Sequence, residues 1–110
     1  MINYSDFEKV DIRVGTVIEA KLNKKSSNPS LNLLIDFGEK ICKKTTSAQL
    51  TKYYLPEELI GKQLAAVINF PPKQIGKMVS EVLVLGFPDQ KNNPVLITPT
   101  KYISNGVKLF

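Results

Sequence analysis

The chain of 110 residues contains no histidine and no tryptophan, one cysteine and two methionines. Without histidine it lacks the usual acid/base near neutral pH and the commonest metal ligand. A Ser/His/Asp or Cys/His catalytic arrangement is therefore impossible. Cys42 alone can form neither an internal disulfide nor a cysteine cluster for zinc. It falls in an alternating stretch, so a small structural residue is expected there rather than a reactive thiol. Lysine or carboxylate chemistry is all that remains for catalysis. Asp11 and Glu19 share a strand face, but Arg13 stands between them, and a surface ion pair accounts for that grouping. The expectation is a non-enzymatic protein with no cofactor and no metal.

Long apolar runs are also missing. No stretch approaches the roughly 18 residues needed to span a bilayer. The first nine residues carry Asp6 and Glu8 and do not read as a signal peptide. These features predict a soluble, cytoplasmic protein with no membrane insertion. A hydrophobic fraction of 43% is enough to fill a core, and the length suits one domain over residues 1–110.

The pattern along the chain is mostly of period two. Ser5 and Glu8 suggest a capped helical turn at the start. From Asp11 to Leu22, Ile12, Val14, Ile18, Ala20 and Leu22 fall on one face of a long strand. Gly15 suggests a bulge or bend within it. Residues 23–30 read as a polar loop. Leu31, Leu33, Ile35 and Phe37 mark a second strand, Asp36–Glu39 a turn, and Ile41–Thr46 a third strand. Residues 47–62 read as helical turns, with Pro56 opening a second short helix and Gly61 closing it. Gln63–Phe70 is an apolar fourth strand expected to be buried on both faces. Pro72–Val79 reads as a loop, Glu81–Gly86 as a fifth strand and Val95–Thr98 as a further short one. The expected class is all-β: a five-stranded OB-fold barrel, with a short helical connection between strands three and four. N- and C-terminal extensions flank it. Such barrels often bind oligonucleotides over strands two and three.

Charge is unevenly placed. Lysine and arginine number 15 against 10 acids, a net charge of +5. Residues 40–80 hold seven lysines and two acids, so the whole excess lies there and the remainder is neutral. A segregated basic stretch on this strand order points to a polyanion, and each phosphate contact would make binding salt-sensitive. Lys43, Lys44, Lys52, Lys73 and Lys77 are the candidate RNA contacts. Tyr53, Tyr54 and Phe70 are candidate base-stacking platforms. Core packing competes for Phe70 and for one of the tyrosines. Phe70, Met78, Val79 and Phe87 are the apolar residues that could line a pocket for an extended polypeptide.

The run Lys9-Val10-Asp11-Ile12-Arg13-Val14-Gly15-Thr16-Val17 resembles the opening of the tRNA-binding OB-domain family. That family includes the C-terminal appendage of some methionyl-tRNA synthetases and a free-standing tRNA-binding protein. Four further stretches are similar to its CsaA-type secretion-chaperone branch: Leu34–Gly38, Ser47–Lys52, Asn69–Lys73 and Ser80–Gly86. The resemblance implies an OB barrel whose terminal extensions pair two subunits into a homodimer. It implies two kinds of partner, tRNA and unfolded or precursor polypeptides bound for the export machinery. Asn69 and Ser80 match family positions at the ends of the loop between strands four and five, and Lys73 matches a basic position within it. These three join the RNA-binding candidates. Val82-Leu83 stands where the broad family often has Gly-Met, and Gly76-Lys77 replaces a common Arg-Gly step. A tRNA-binding protein is thus the expected function. The competing expectation is a polypeptide-binding chaperone for which RNA is incidental.

Overall fold

The computed structural model describes residues 1–24 and 28–110. The expected polar loop 23–30 lies partly outside these residues. Helix α1 spans Tyr4–Glu8. Strands β1 (Ile12–Asn23) and β2 (Ser30–Asp36) are followed by a helical turn α2 (Gly38–Ile41) and strand β3 (Lys43–Ala48). A short helix α3 (Pro56–Leu59) leads into β4 (Gln63–Val67). The rest of the chain forms β5 (Lys73–Ile75), β6 (Met78–Ser80), β7 (Leu83–Val84), β8 (Gly86–Pro88) and β9 (Pro94–Leu96).

Five antiparallel strands form one curled sheet in the order β3-β2-β1-β4-β7. This is the expected all-β OB arrangement, with β7 as the fifth strand of the barrel. Strand β1 is long enough to serve both halves. Its first residues pair with β4 and its later ones with β2. The core is built from Val17, Leu31, Leu33, Ile35, Phe37, Leu50, Leu59, Leu64, Ala66 and Val82. Fully burying one such leucine contributes about 1.5–3 kcal/mol.

The register of β1 shifts between Val17 and Glu19. That bulge exchanges the faces of the strand, because side chains alternate with period two. Before it, Gly15 and Val17 point into the core. Beyond it, Ala20 packs against the core. The single apolar face expected over residues 12–22 is therefore split, and Ile12 and Val14 lie on the outside. Gly15 is not the bulge. A Cβ there would sit 2.6 Å from Ile35 Cγ2 and 2.8 Å from two Phe37 ring atoms, so glycine is needed for the close approach of β1 to β2.

Several local expectations are corrected. Asn3, not Ser5, caps α1: its Oδ1 accepts from Asp6 N at 3.0 Å, and Asp6 Oδ2 accepts from Asn3 N at 3.1 Å. The turn at 36–39 continues as α2, so Ile41 is helical and β3 begins at Lys43. Cys42 ends that helix with φ 72° and is exposed, so it is no core residue. Strand β4 stops at Val67. Phe70, beyond it, is 53% exposed, because the two prolines that follow turn the chain off the barrel. Residues 73–80 form a hairpin rather than a loop, turning at Gly76-Lys77. Residues 86–96 form another.

The C-terminal extension behaves as an element of the barrel. Gly106 N donates to Val14 O at 2.8 Å, Val14 N to Val107 O at 3.2 Å, and Leu109 N to Ile12 O at 2.8 Å. The C-terminal segment thus runs along β1 as an added, irregular strand. Arg13 fastens it, donating to Gly106 O at 2.9 Å while pairing with Asp11 at 2.6 Å. Glu19 lies beyond the bulge and takes no part in that pair.

Candidate nucleic-acid interface

One margin of the sheet is the outer edge of β3. The hairpin β5–β6 and residues 81–82 close it through side chains as well as backbone. Thr45 Oγ1 donates to Val79 O at 2.8 Å. Thr46, fully buried, donates to Val82 O at 2.7 Å and shares a hydrogen bond of 2.9 Å with Ser80 Oγ. Ser47 N donates to Ser80 Oγ at 3.3 Å. Short hydroxyl side chains suit this role, because each can both donate and accept. Polar residues on β3, where apolar ones would be expected on an inward face, are explained by this seam.

Glu81 completes the margin. Its N–H donates to Thr45 O at 2.8 Å. Its Oε1 accepts from Thr45 N at 3.0 Å and lies 3.0 Å from Thr45 Oγ1, whose one proton it shares with Val79 O. Lys44 Nζ lies 3.9 Å from Oε2. The Thr45 N–H holds the Glu81 carboxyl below the ordinary glutamate range; burial opposes this, and the Thr45 hydroxyl and Lys44 assist it. Glu81 is therefore an anion at neutral pH, an acceptor only.

Beside this seam lies a groove of about 280 Å³, lined in part by Ser47, Phe70, Lys73, Ser80, Glu81 and Leu83. Lys73 is opposite Ser80 in the hairpin register. The fold thus gathers Lys73, Ser80 and Phe70 of the candidate residues around one groove, with Lys44 at its margin through Glu81. Ser47 and Glu81 were not among the candidates. Their signal was only positional: Glu81 follows Ser80 in one matched stretch, and Ser47 opens another.

The other candidates lie elsewhere. Lys43 opens β3 opposite Asp36 and borders a separate hollow beside Gly38 and Glu39. Lys52 is exposed in the turn after β3, and Lys77 is exposed at the tip of the β5–β6 hairpin. Asn69 works within the fold: its Nδ2 donates to Lys9 O at 2.7 Å and its Oδ1 accepts from Asp11 N at 3.0 Å. That clamp ties the start of β1 to the end of β4. Met78 is half-buried, while Val79 and Phe87 are exposed. Phe87 lies in β8 opposite Val95, outside the groove.

The two tyrosines separate as the sequence suggests. Tyr54 packs against the core, and its hydroxyl accepts from Leu96 N at 3.0 Å. Tyr53 is 45% exposed and bonds through its hydroxyl to Asp89. That hydroxyl, with the N–H groups of Asn93 and Lys91, holds the Asp89 carboxyl below its ordinary range.

A second surface feature is apolar. Ile12, Val14, Ala65, Ile97, Ile103 and Leu109 help line a cavity of about 330 Å³ between the outside of β1 and the C-terminal segment. Phe110 beside it is exposed.

Comparison with known proteins places this architecture. The chaperone CsaA from Bacillus anthracis superposes with a TM-score of 0.93 at 45% identity, covering 100% of this chain and 99% of that one. The CsaA chaperone protein from Picrophilus torridus gives 0.91 at 45% identity, with 100% of both chains covered. A methionine–tRNA ligase from Methanococcoides burtonii is 37% identical over 106 residues, which are 96% of this chain and 15% of the ligase. The chain therefore spans a small part of the ligases it matches. The family described as "Putative tRNA binding domain" matches residues 12–108. On that match, which takes in the barrel from β1 to the C-terminal segment, the chain belongs to this tRNA-binding domain family.

Proposed function

We propose that this protein binds tRNA without catalysing a reaction on it. One observation carries the reading: the entire charge excess lies in residues 40–80, and the fold brings part of that stretch to a groove with an exposed aromatic ring. Lys73 supplies a phosphate contact there and Phe70 a stacking face. Lys43, Lys44, Lys52 and Lys77 widen the basic surface around it, and Ser80 holds the groove wall. Filter binding of bulk tRNA tests this. Binding should be measurable at about 50 mM salt and fall steeply as salt rises. No retention of tRNA at the lower salt sinks the proposal.

A second reading has its own support. Phe70, Ile75 and Leu83 are exposed apolar residues lining the same groove, a surface suited to an extended unfolded or precursor polypeptide. The 45% identity to two CsaA chaperones supports it as well. Export machinery would be a partner on this reading, and RNA and polypeptide would compete. Suppression of client aggregation that excess tRNA relieves would favour a shared groove. No suppression with any unfolded client would remove this reading.

A homodimer in the cytoplasm completes the proposal. The apolar cavity between β1 and the C-terminal segment, with Val107, Leu109 and Phe110 exposed around it, is a surface that a second copy would cover. Light scattering at micromolar concentration should give twice the monomer mass.

A further inference from the structure

The groove contains a carboxylate, which a purely phosphate-binding surface would exclude. Glu81 lines it together with Ser47, Ser80, Phe70 and Lys73, and its side chain keeps 33% of its exposure. One oxygen, Oε1, is committed to the Thr45 N–H and hydroxyl. Among the described residues the other, Oε2, has Lys44 Nζ beside it, at 3.9 Å, beyond hydrogen-bond length. The anchored oxygen fixes the carboxylate, and the second oxygen is left to accept.

We infer that Glu81 is a specificity-determining residue that accepts a hydrogen bond from the exocyclic amino group of an unpaired cytosine stacked against Phe70. The inference rests on the RNA-binding reading above. Thr45 accounts for the anchored oxygen of Glu81; the outward oxygen repels phosphate and suits a hydrogen-bond donor on the ligand. Nucleobases offer donors at their edges, and glutamate pairs with the cytosine N4 amino group. Uracil presents a carbonyl at the same position and is repelled. Single-stranded RNA leaves this edge open, with the base free to stack on an aromatic ring. Phosphate contacts by Lys73 then position the strand, while Glu81 reads the base.

The test compares 12-nucleotide RNAs of cytidine, uridine and N4,N4-dimethylcytidine by fluorescence anisotropy on the full chain, at about 50 mM salt. Wild type should bind the cytidine oligomer roughly tenfold more tightly than the uridine oligomer. It should treat the dimethyl oligomer, which has no N4 hydrogen to donate, like uridine. Glu81→Gln keeps its amide oxygen for Thr45 and turns its NH2, a donor only, toward the base, so the cytidine preference should be lost and the uridine oligomer bound at least as tightly. Equal wild-type affinities overturn the inference, as does a preference kept by Glu81→Gln or for the dimethyl oligomer. The dimethyl comparison needs no variant, so a poorly folding Glu81→Gln does not blunt the test. Bulk tRNA serves as the control: tRNA bound without a cytidine preference overturns this inference alone, whereas no binding of any RNA overturns the RNA reading beneath it.

Discussion

Glu81 and Thr45 bond to each other twice through the backbone amide of each. The Glu81 N–H reaches Thr45 O at 2.8 Å, and the Thr45 N–H is returned to the Glu81 carboxylate at 3.0 Å. A side chain thus stands in for a strand carbonyl where β3 has no regular neighbour on that side. Replacing Glu81 by alanine leaves the Thr45 amide without its acceptor, while the hydroxyl keeps Val79 O at 2.8 Å. A partly buried donor left unmatched costs about 1–3 kcal/mol. Urea unfolding should show that loss for Glu81→Ala, and less for Glu81→Gln, which retains an acceptor.

The same pair makes stability depend on pH in one direction. The Glu81 pKa is lowered in the folded protein, mainly by the Thr45 N–H, and Asp89 is lowered mainly by the Tyr53 hydroxyl. Each carboxylate binds its proton less readily folded than unfolded. Their stabilisation is therefore complete above the ordinary carboxylate pKa of about 4, and it is lost as pH falls through the lower folded values. Denaturation midpoints measured from pH 6 to pH 2.5 should decline below about pH 4. Glu81→Gln should flatten that decline. An unchanged acid profile in the variant would show that Glu81 has no such role.

The fold was largely legible in the sequence, and the reasons are local. Alternation in β2 is broken only at Leu34, so Leu31, Leu33 and Ile35 still announce the core. Pro56 and Gly61 punctuate α3. The bulge in β1 was not legible at its true place, because Ile18 is apolar on either face and nothing marks the slip. Gly15 drew attention as a bend, yet its role depends on Phe37, 22 positions away in the chain. The site was legible only in part. Excess charge reveals lysines but not which of them share a groove. Asn69 shows why: a polar residue after a strand fits an RNA contact or a backbone clamp equally until its partners, Lys9 and Asp11, are seen.

Two glycines should respond to alanine for different reasons. At Gly15 the new methyl would meet Ile35 and Phe37 at 2.6–2.8 Å, two fully buried side chains. Overpacking of this kind costs about 1–3 kcal/mol. At Gly61 nothing lies within 4 Å of the added carbon, but φ is +87°. Only left-handed backbone strain applies there, about 1–2 kcal/mol. Denaturation curves should show both losses. Near-UV circular dichroism should change only for Gly15→Ala, where the Phe37 ring must move.

The lysines should not contribute equally to RNA binding. Lys73 lines the groove and Lys77 stands exposed at the tip of the hairpin, and neither forms an ion pair among the described residues. Lys44 lies 3.9 Å from the Glu81 carboxylate, and its charge is partly balanced before any ligand arrives. Each lysine that contacts a phosphate adds about 0.7–0.9 to the slope of log affinity against log salt. Lys73→Ala and Lys77→Ala should each lower the slope by roughly that amount. Lys44→Ala should lower it by clearly less, since removing Lys44 also leaves Glu81 unbalanced beside the strand. Titrations of tRNA at four or more salt concentrations provide these slopes. Equal decrements for all three lysines would mean that the Lys44–Glu81 pair opens fully on binding.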